Sequence, residues 1–525
     1  MNGFDLTINN LLETAARDNG DQKIVYMGKS VTYNEFYKNA LNLSRNLIRI
    51  GVRKNDVVAV IDYDSLMYMY AYYSIPMIGS ILHTVNIRYP PEIIFYTMQR
   101  ADDSYIMIDE SFMGLIVKNR DYLNFIKGII VNSAGHRHFD VNIPVYYFDD
   151  LLKDSDAKFE EPDENDTATL FFTSGTTGLP KGVSFTHRQL VLHSIASIAA
   201  LSNEPIKYNI NDVIMPLVPM FHVHAWGIPY TSIMNGLKYV LPGKYDVPRI
   251  LETMATERIS MSAMVPTILY MLLSDKNAKQ AFQNLNLKVI IGGAALSRGL
   301  AERARAYGID VVSGYGMSET APILTLGVYN RKVINKSDEE KFEFRLKTGI
   351  PIPMVSLRVV NNNRDVENNG KEIGEIIVRA PWLTKGYIKD EEKTRELWKD
   401  GWLHTGDLAV VDEYGYVKIV DREKDAIKSG GEFIPSLILE DLISTISGVN
   451  EVAVVAKSDD KWGERPVAFI NGNLSVEELK LKMMEFVDTG RIAKFWIPDD
   501  FIFVNEMPKT STGKIDKKVL REKLR

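Results

Sequence analysis

The sequence predicts an α/β fold: a large N-terminal domain of doubly wound sheets with a β-rich subdomain, followed by a small α+β C-terminal domain. Three observations predict it. Apolar strand runs alternate with helix-period stretches from residue 23 to about residue 320, the pattern of parallel strands joined by crossover helices. From about residue 357 the texture turns to short alternating strands separated by Asn/Gly turns. The charged run Asp421-Arg422-Glu423-Lys424-Asp425 then precedes a compact unit of mixed helices and strands. At 525 residues the chain is too long for one ordinary core. Boundaries at 1–420, 421–425 as linker and 426–525 leave two pieces of reasonable domain size.

The elements follow in order. Residues 23–27 and 30–33 read as a hairpin turned at Gly28-Lys29. Thr32 with Glu35 three positions on is a capping box; Phe36, Ala40, Leu43 and Leu47 recur at helical spacing, and Gly51 ends that helix. Strand 57–61 comes next. Residues 65–87 hold no Asp, Glu, Lys or Arg over a length that could cross a bilayer. Pro76, Gly79, His83, Asn86 and four tyrosines argue against a span, and a buried helix ending near Pro76 with a strand at 81–85 explains the stretch. Helix 91–100 and strands 105–108, 128–131, 145–148 and 168–172 continue the alternation. Helix 187–200, strands 213–218 and 239–241, helix 247–257 and strands 288–291 and 310–312 extend it. The β-rich part holds strands 357–360 and 375–379 and a hairpin 409–411/417–420 turned near Tyr414-Gly415. Helices 436–446 and 476–487 with strands 451–456, 466–470 and 501–504 make the last unit.

The 62 basic and 68 acidic residues nearly cancel and no long basic tract occurs, which argues against nucleic acid as a partner. Zero cysteines exclude a disulfide framework, a thiolate metal site and a cysteine nucleophile, and fit a reducing, cytoplasmic setting. Asp5, Glu13 and Arg17 interrupt the first twenty residues, so no secretory leader is expected.

The chain is organised around TSGTTGLPKG at 173–182, directly after an apolar strand. Gly175, Gly178 and Gly182 let successive N–H groups converge on one anion. Thr173, Ser174, Thr176 and Thr177 add hydroxyl donors, and Lys181 adds a positive charge. Such a loop suits a polyphosphate, although its Gly/Lys spacing is not that of a Walker A loop. Downstream, Phe221-His222-Val223-His224-Ala225-Trp226 reads as a pocket wall, with no carboxylate in register to complete a metal site. Gly292-Gly293-Ala294-Ala295 after a strand either lets a flat ligand approach the backbone or makes a tight turn. In GYGMSET at 314–320, Tyr315 can stack on a base, Ser318 can donate to a phosphate, and Glu319 can hold Mg²⁺. Asp407 in WLHTGD can accept both hydroxyls of a ribose.

These segments, in this order, resemble the signature motifs of the adenylate-forming superfamily, which includes acyl-CoA synthetases, firefly luciferase and the adenylation domains of peptide synthetases. The resemblance runs over essentially the whole chain. It implies a nucleotide site made by Thr173, Ser174, Gly175, Thr176, Thr177, Gly178, Lys181, Gly292, Gly293, Ala294, Ser313, Gly314, Tyr315, Ser318, Asp407 and Arg422. It implies Mg²⁺ at Glu319 and Thr173, a carboxylate site lined by His222, and an acyl-tunnel mouth at Val223 and Trp226, with Trp226 as its gate. Lys424 matches the hinge residue. Lys428, Gly430, Gly431 and Glu432 match the segment that forms the thioester site once the hinge has turned. Lys514, in PKTSTGK, matches the lysine that contacts the substrate carboxylate and the α-phosphate. With Trp226, the stretch AKFWIPD at 493–499 looks closest to medium- and long-chain fatty acyl-CoA synthetases.

The implied activity is a two-step ligase. A carboxylic acid and ATP give acyl-AMP and pyrophosphate, and coenzyme A then displaces AMP, with a mobile C-terminal domain alternating two segments at one site. Catalysis falls to Lys514, Lys428 and His222, and the cofactors are ATP, Mg²⁺ and coenzyme A. The partners are these small molecules, with no nucleic acid and no membrane span; a homodimer is the assembly considered. The rival expectations are a ligase for an aryl or short-chain acid or with a non-CoA acceptor, and a non-catalytic nucleotide-binding regulator.

Overall fold

The computed structural model describes residues 4–173, 179–430 and 432–524. Among them, two large sheets carry the N-terminal part. One has seven strands, in the spatial order Val145–Tyr147, Gly128–Asn132, Asp103–Asp109, Val57–Ile61, Ile81–Thr84, Thr167–Thr173, Lys181–Thr186. All neighbours are parallel except the last pair, which is an antiparallel hairpin. The other has nine strands. Its parallel centre is Asp310–Gly316, Lys288–Ile291, Met261–Met264, Val213–Ile214, Lys238–Leu241 and Lys23–Tyr26, with antiparallel strands at both edges.

Side-chain alternation explains how the sheets stack. Ile24, Ile214, Tyr239, Met261 and Ile290 of the nine-stranded sheet share one core with Val58, Val60, Leu82, Met107 and Ile130 of the seven-stranded sheet. Helices Ile8–Asn19, Tyr33–Arg49, Leu66–Met77, His187–Leu201 and Ile228–Met234 contribute to that central core. The opposite face of the nine-stranded sheet is covered by Val247–Glu257, Pro266–Ser274 and Arg298–Ala306, and that of the seven-stranded sheet by Pro91–Ala101 and Met113–Lys118. The result is five layers, helix and sheet alternating, as strands alternating with amphipathic helices require.

A six-stranded, mainly antiparallel sheet follows, built on Ser356–Asn361, Gly374–Arg379, Trp402–Val411 and Val417–Arg422. The smaller C-terminal domain has its own five-stranded sheet and its own cores, drawn from residues 427–520.

The structure departs from the expected elements at identifiable places. The first hairpin turns at Met27-Gly28, both with positive φ (52° and 75°), one residue earlier than expected. The strand expected at 213–218 keeps only Val213–Ile214, because Pro216 lacks a ladder donor. The helix at 66–77 runs through Pro76 and ends one residue beyond it. Among the described residues no helix is long and apolar enough to cross a membrane. The strand Val417–Arg422 continues through Asp421 and Arg422, so the run expected as linker begins inside the six-stranded sheet.

Candidate active site

At the edge of the seven-stranded sheet Thr173 pairs antiparallel with Lys181, both of them residues of the expected phosphate loop. Ser174, Gly175, Thr176, Thr177 and Gly178 lie outside the described residues. At the base of the loop the Lys181 ammonium stands 4.6 Å from the ring centre of Tyr387. Tyr387 donates its hydroxyl to Glu319 Oε1 at 2.6 Å. The Thr384 N–H donates to the Glu319 carbonyl at 2.9 Å, and the Ile388 N–H donates to the Gly182 carbonyl at 2.8 Å. Residues 384–388 therefore join the Lys181 strand to the turn that carries Glu319.

Glu319 is buried. Burial raises its carboxyl, against the hydrogen bond from Tyr387 and the charge of Lys181. A single carboxylate leaves most of an octahedral shell to phosphate oxygens and water, which fits Mg²⁺ brought in with a nucleotide. Among the described residues no cluster of three or more His, Cys, Asp or Glu forms an all-protein metal cage. Tyr387 was not among the residues expected from sequence. It lies 68 positions from Glu319, and its local signal is only a Gly-Tyr pair in a loop after an apolar strand.

Asp407, buried in the strand Trp402–Val411, accepts the Tyr315 hydroxyl at 2.7 Å and Arg422 Nε at 3.1 Å. The register sets Asp407 opposite Arg422, and Tyr315 reaches it from the irregular end of the strand Asp310–Gly316. Ser313 is buried in the same strand, paired with Ile291, and Ser318 opens the half-buried turn before Glu319. Gly292 follows the neighbouring strand. A Cβ there would meet the Trp226 indole at 3.0 Å and the Gly314 carbonyl at 3.2 Å, so a side chain would push the indole back by a few tenths of an ångström. Gly293 has φ +78°, and a Cβ on it would stand 3.2 Å from Lys514 Cε; Ala294 is exposed beside it.

Lys514 thus enters from the C-terminal domain and lies along the Gly292-Gly293 loop. Burial and the Arg422 guanidinium depress its ammonium to about 8, while Asp407 and Glu319 pull the other way. Its loop is anchored by Arg88 Nη1, which donates to the Ser511 carbonyl at 2.9 Å, and by Asn86 Nδ2, which donates to Ser511 Oγ at 3.3 Å.

His222 is close enough to be affected by Lys514. Burial, then that ammonium, depresses its imidazole to about 3, so it is neutral at any working pH. Its loop is held by Asp64, which accepts the Met220 N–H at 2.7 Å, and by Thr84, which donates to the Phe221 carbonyl at 3.0 Å. Beyond it, Val223, His224, Ala225 and Trp226 all have left-handed backbone, with φ of 48°, 54°, 46° and 59°, and Gly227 follows at 74°. Such conformations cost roughly 1–2 kcal/mol per non-glycine residue. The run sets the Trp226 indole against Gly292 on one side. On the other side it lines a small cavity of about 10 Å³, walled by Tyr208, Ile214, Ile228, Thr231, Met261 and Ile290.

Lys424, two residues after Arg422, is exposed but near enough to Lys514 for the two charges to repel. The remaining expected residues lie elsewhere. Lys428, Gly430 and Glu432 occupy the exposed hairpin Ile427–Ser429/Glu432–Ile434. There Lys428 Nζ stands 5.6 Å from the Phe433 ring centre, and the Gly430 N–H donates to the Trp462 carbonyl at 2.8 Å. Gly431 lies outside the described residues. The structure therefore brings Lys181, Glu319, Tyr315, Asp407, Arg422, Gly293, His222 and Lys514 to one place. Among the described contacts, it does not bring the 428–432 hairpin there.

Known proteins are similar to this chain over nearly its whole length. The AMP-binding enzyme family matches residues 12–388, and the AMP-binding enzyme C-terminal domain matches residues 439–514. A long-chain-fatty-acid–CoA ligase of Thermus thermophilus is 37% identical over 99% of this chain and 95% of its own length. A 3-methylmercaptopropionyl-CoA ligase of Ruegeria lacuscaerulensis is 34% identical over 99% and 97%. The crystal structure of the anthranilate CoA ligase AuaEII with anthranoyl-AMP has a TM-score of 0.87 at 22% identity, over 100% of this chain and 98% of that one, a likeness of fold. With the family model covering most of its length and both domains matched, the chain belongs to the AMP-binding enzyme family, as an acid–CoA ligase whose cofactors are ATP, Mg²⁺ and coenzyme A.

Proposed function

We propose that the protein activates a medium- or long-chain fatty acid. The acid's carboxylate oxygen attacks the α-phosphorus of ATP, pyrophosphate leaves, and the thiolate of coenzyme A then attacks the acyl carbonyl and displaces AMP. The observation that carries the choice of acid is the position of Trp226, between the Gly292 backbone at the nucleotide site and a mainly apolar pocket wall that also holds Tyr208 and Thr231. The cavity behind the indole has room for about one water molecule, so an acyl chain enters only when Trp226 moves. The left-handed backbone of residues 223–226 favours such movement, because strain of this kind is held at sites that change shape. The ligases similar to this chain act on a fatty acid, a thioether acid and an aryl acid, so the pocket discriminates among acids where the nucleotide site does not.

The first step brings a negative nucleophile to a negative phosphate. Lys181 and Lys514 offset that charge, and their fixed placement spares reorganisation in the transition state. Bound Mg²⁺ adds Lewis-acid neutralisation of the phosphates. Asp407 holds the ribose, with Tyr315 and Arg422 orienting it, and neutral His222 lines the carboxylate site without repelling Lys514. Lys424 is the proposed hinge, and the 428–432 hairpin replaces the Lys514 loop for the thioester step. A non-catalytic regulator would have no use for a lysine whose charge is kept in so unfavourable a place. Cytoplasmic action goes with this reading, since it draws on ATP and coenzyme A and the chain has no cysteine.

The test is CoA-dependent AMP release over a panel of acids from acetate to palmitate, with benzoate, anthranilate and 3-methylmercaptopropionate. The reading expects the highest kcat/KM among straight chains longer than butyrate. A maximum at an aryl or short acid contradicts it.

A further inference from the structure

The segment that runs from the nucleotide site into the helix Arg298–Ala306 touches the C-terminal domain at both of its ends. At the start, Gly293 lies against Lys514. Six residues on, at the first turn of the helix, Gly299 lies against the helix Ser436–Ser444. A methyl group on Gly299 would overlap the Ser444 carbonyl oxygen, which is backbone and cannot swing aside. Beside it, the Arg298 N–H, one of the unpaired donors of a helix start, donates to Asp441 Oδ1 at 2.8 Å. Ser297 caps the helix from its own domain by accepting the Leu300 N–H, and Asp441 adds from the C-terminal domain a carboxylate of the favourable sign for a helix N-terminus. The Arg298 guanidinium pairs with Glu343 of its own domain, and its charge also attracts Asp441, whose hydrogen bond comes from the backbone N–H.

We infer that Gly299 and Asp441 are positioning residues for adenylate formation: they seat the C-terminal domain in the orientation that lays Lys514 along Gly293. The inference rests on the two-step ligase reading above. Neither residue touches the nucleotide-site cluster, and neither contact has a role in thioester formation once the domain has turned. The seat and the Gly292-Gly293 turn at the nucleotide site are one continuous stretch, 292–299.

The experiment compares the wild type, Gly299→Ala, Asp441→Ala and Asp441→Asn in two half-reactions: ATP–pyrophosphate exchange with dodecanoate, and thioester formation from supplied dodecanoyl-AMP and coenzyme A. Gly299→Ala and Asp441→Ala are expected to lose about tenfold or more in exchange, the size of a lost charge-assisted contact, with thioester formation unchanged. Asp441→Asn keeps an acceptor oxygen and is expected to retain most of the exchange rate. Because alanine favours a helix over glycine, Gly299→Ala should melt no lower than the wild type, which separates a lost seat from a lost fold. Equal loss in both half-reactions, or full exchange in Gly299→Ala, overturns the inference. A wild type that exchanges with no acid overturns the ligase reading instead.

Discussion

Lys514 carries the sharpest prediction at the scale of one residue. Its ammonium is depressed to about 8 by burial and Arg422, and only the charged form offsets the developing phosphate charge. As pH rises through about 8 the free enzyme loses that charge, so kcat/KM for ATP in adenylate formation should fall there. Bound polyphosphate stabilises the ammonium, so kcat should hold to higher pH. A kcat/KM profile flat from 7 to 10 would contradict the assignment. Asp407 makes a different prediction. It is proposed to hold the ribose in both ground and transition states, so Asp407→Ala should raise KM for ATP about tenfold with a smaller effect on kcat; an unchanged KM counts against it. Both residues stand out in the sequence because each sits in a short motif that resembles one of the superfamily's, while their own neighbours leave Lys514 readable as a surface lysine. Tyr387 does not, because its bond to Glu319 spans 68 residues and only the folded chain joins them.

At the scale of elements, legibility followed periodicity. The buried parallel strands and the capped helix Tyr33–Arg49 announce themselves by apolar pattern and by the Thr32/Glu35 box, which the structure forms. The strand Lys181–Thr186 is not legible, although its Val183 and Phe185 alternate inward, because the glycine-rich run before it reads as a loop. The turn at 223–227 was illegible for a physical reason. Left-handed backbone is normally signalled by glycine, and here four non-glycine residues precede Gly227. That turn positions Trp226, and the prediction for Trp226→Ala belongs to it. If the indole is a gate, the variant still adenylates, loses the dependence of acid binding on prior ATP, and shifts its chain-length profile. If the indole is only core, the variant loses roughly 3–5 kcal/mol of stability with its specificity unmoved. Melting curves and chain-length profiles on the same variant distinguish the two, and a large fall in Tm with an unmoved profile refutes the gate.

At the scale of the whole molecule, the alternating pattern makes the large domain readable, the change of texture near residue 357 its β-rich part, and the compact mixed unit after the charged run at 421–425 the smaller domain. The stacking of two sheets on one shared core is not readable, since register between distant strands leaves no trace in local sequence. The Lys514 loop is tied to the region proposed as hinge. Lys517, three residues on, pairs with Glu440 at 2.7 Å and donates to Ser436, whose N–H donates to Asp421; Arg521 pairs with Asp425 at 2.7 Å. A rotation there would carry Lys514 out of the site as a unit, which is how one small domain could serve two steps. The measurement that tests this account most directly is the pair of half-reaction rates for Lys514→Ala. The account predicts that adenylate formation from acid and ATP is abolished while thioester formation from supplied acyl-AMP and coenzyme A persists at close to the wild-type rate. Equal loss in both would contradict it.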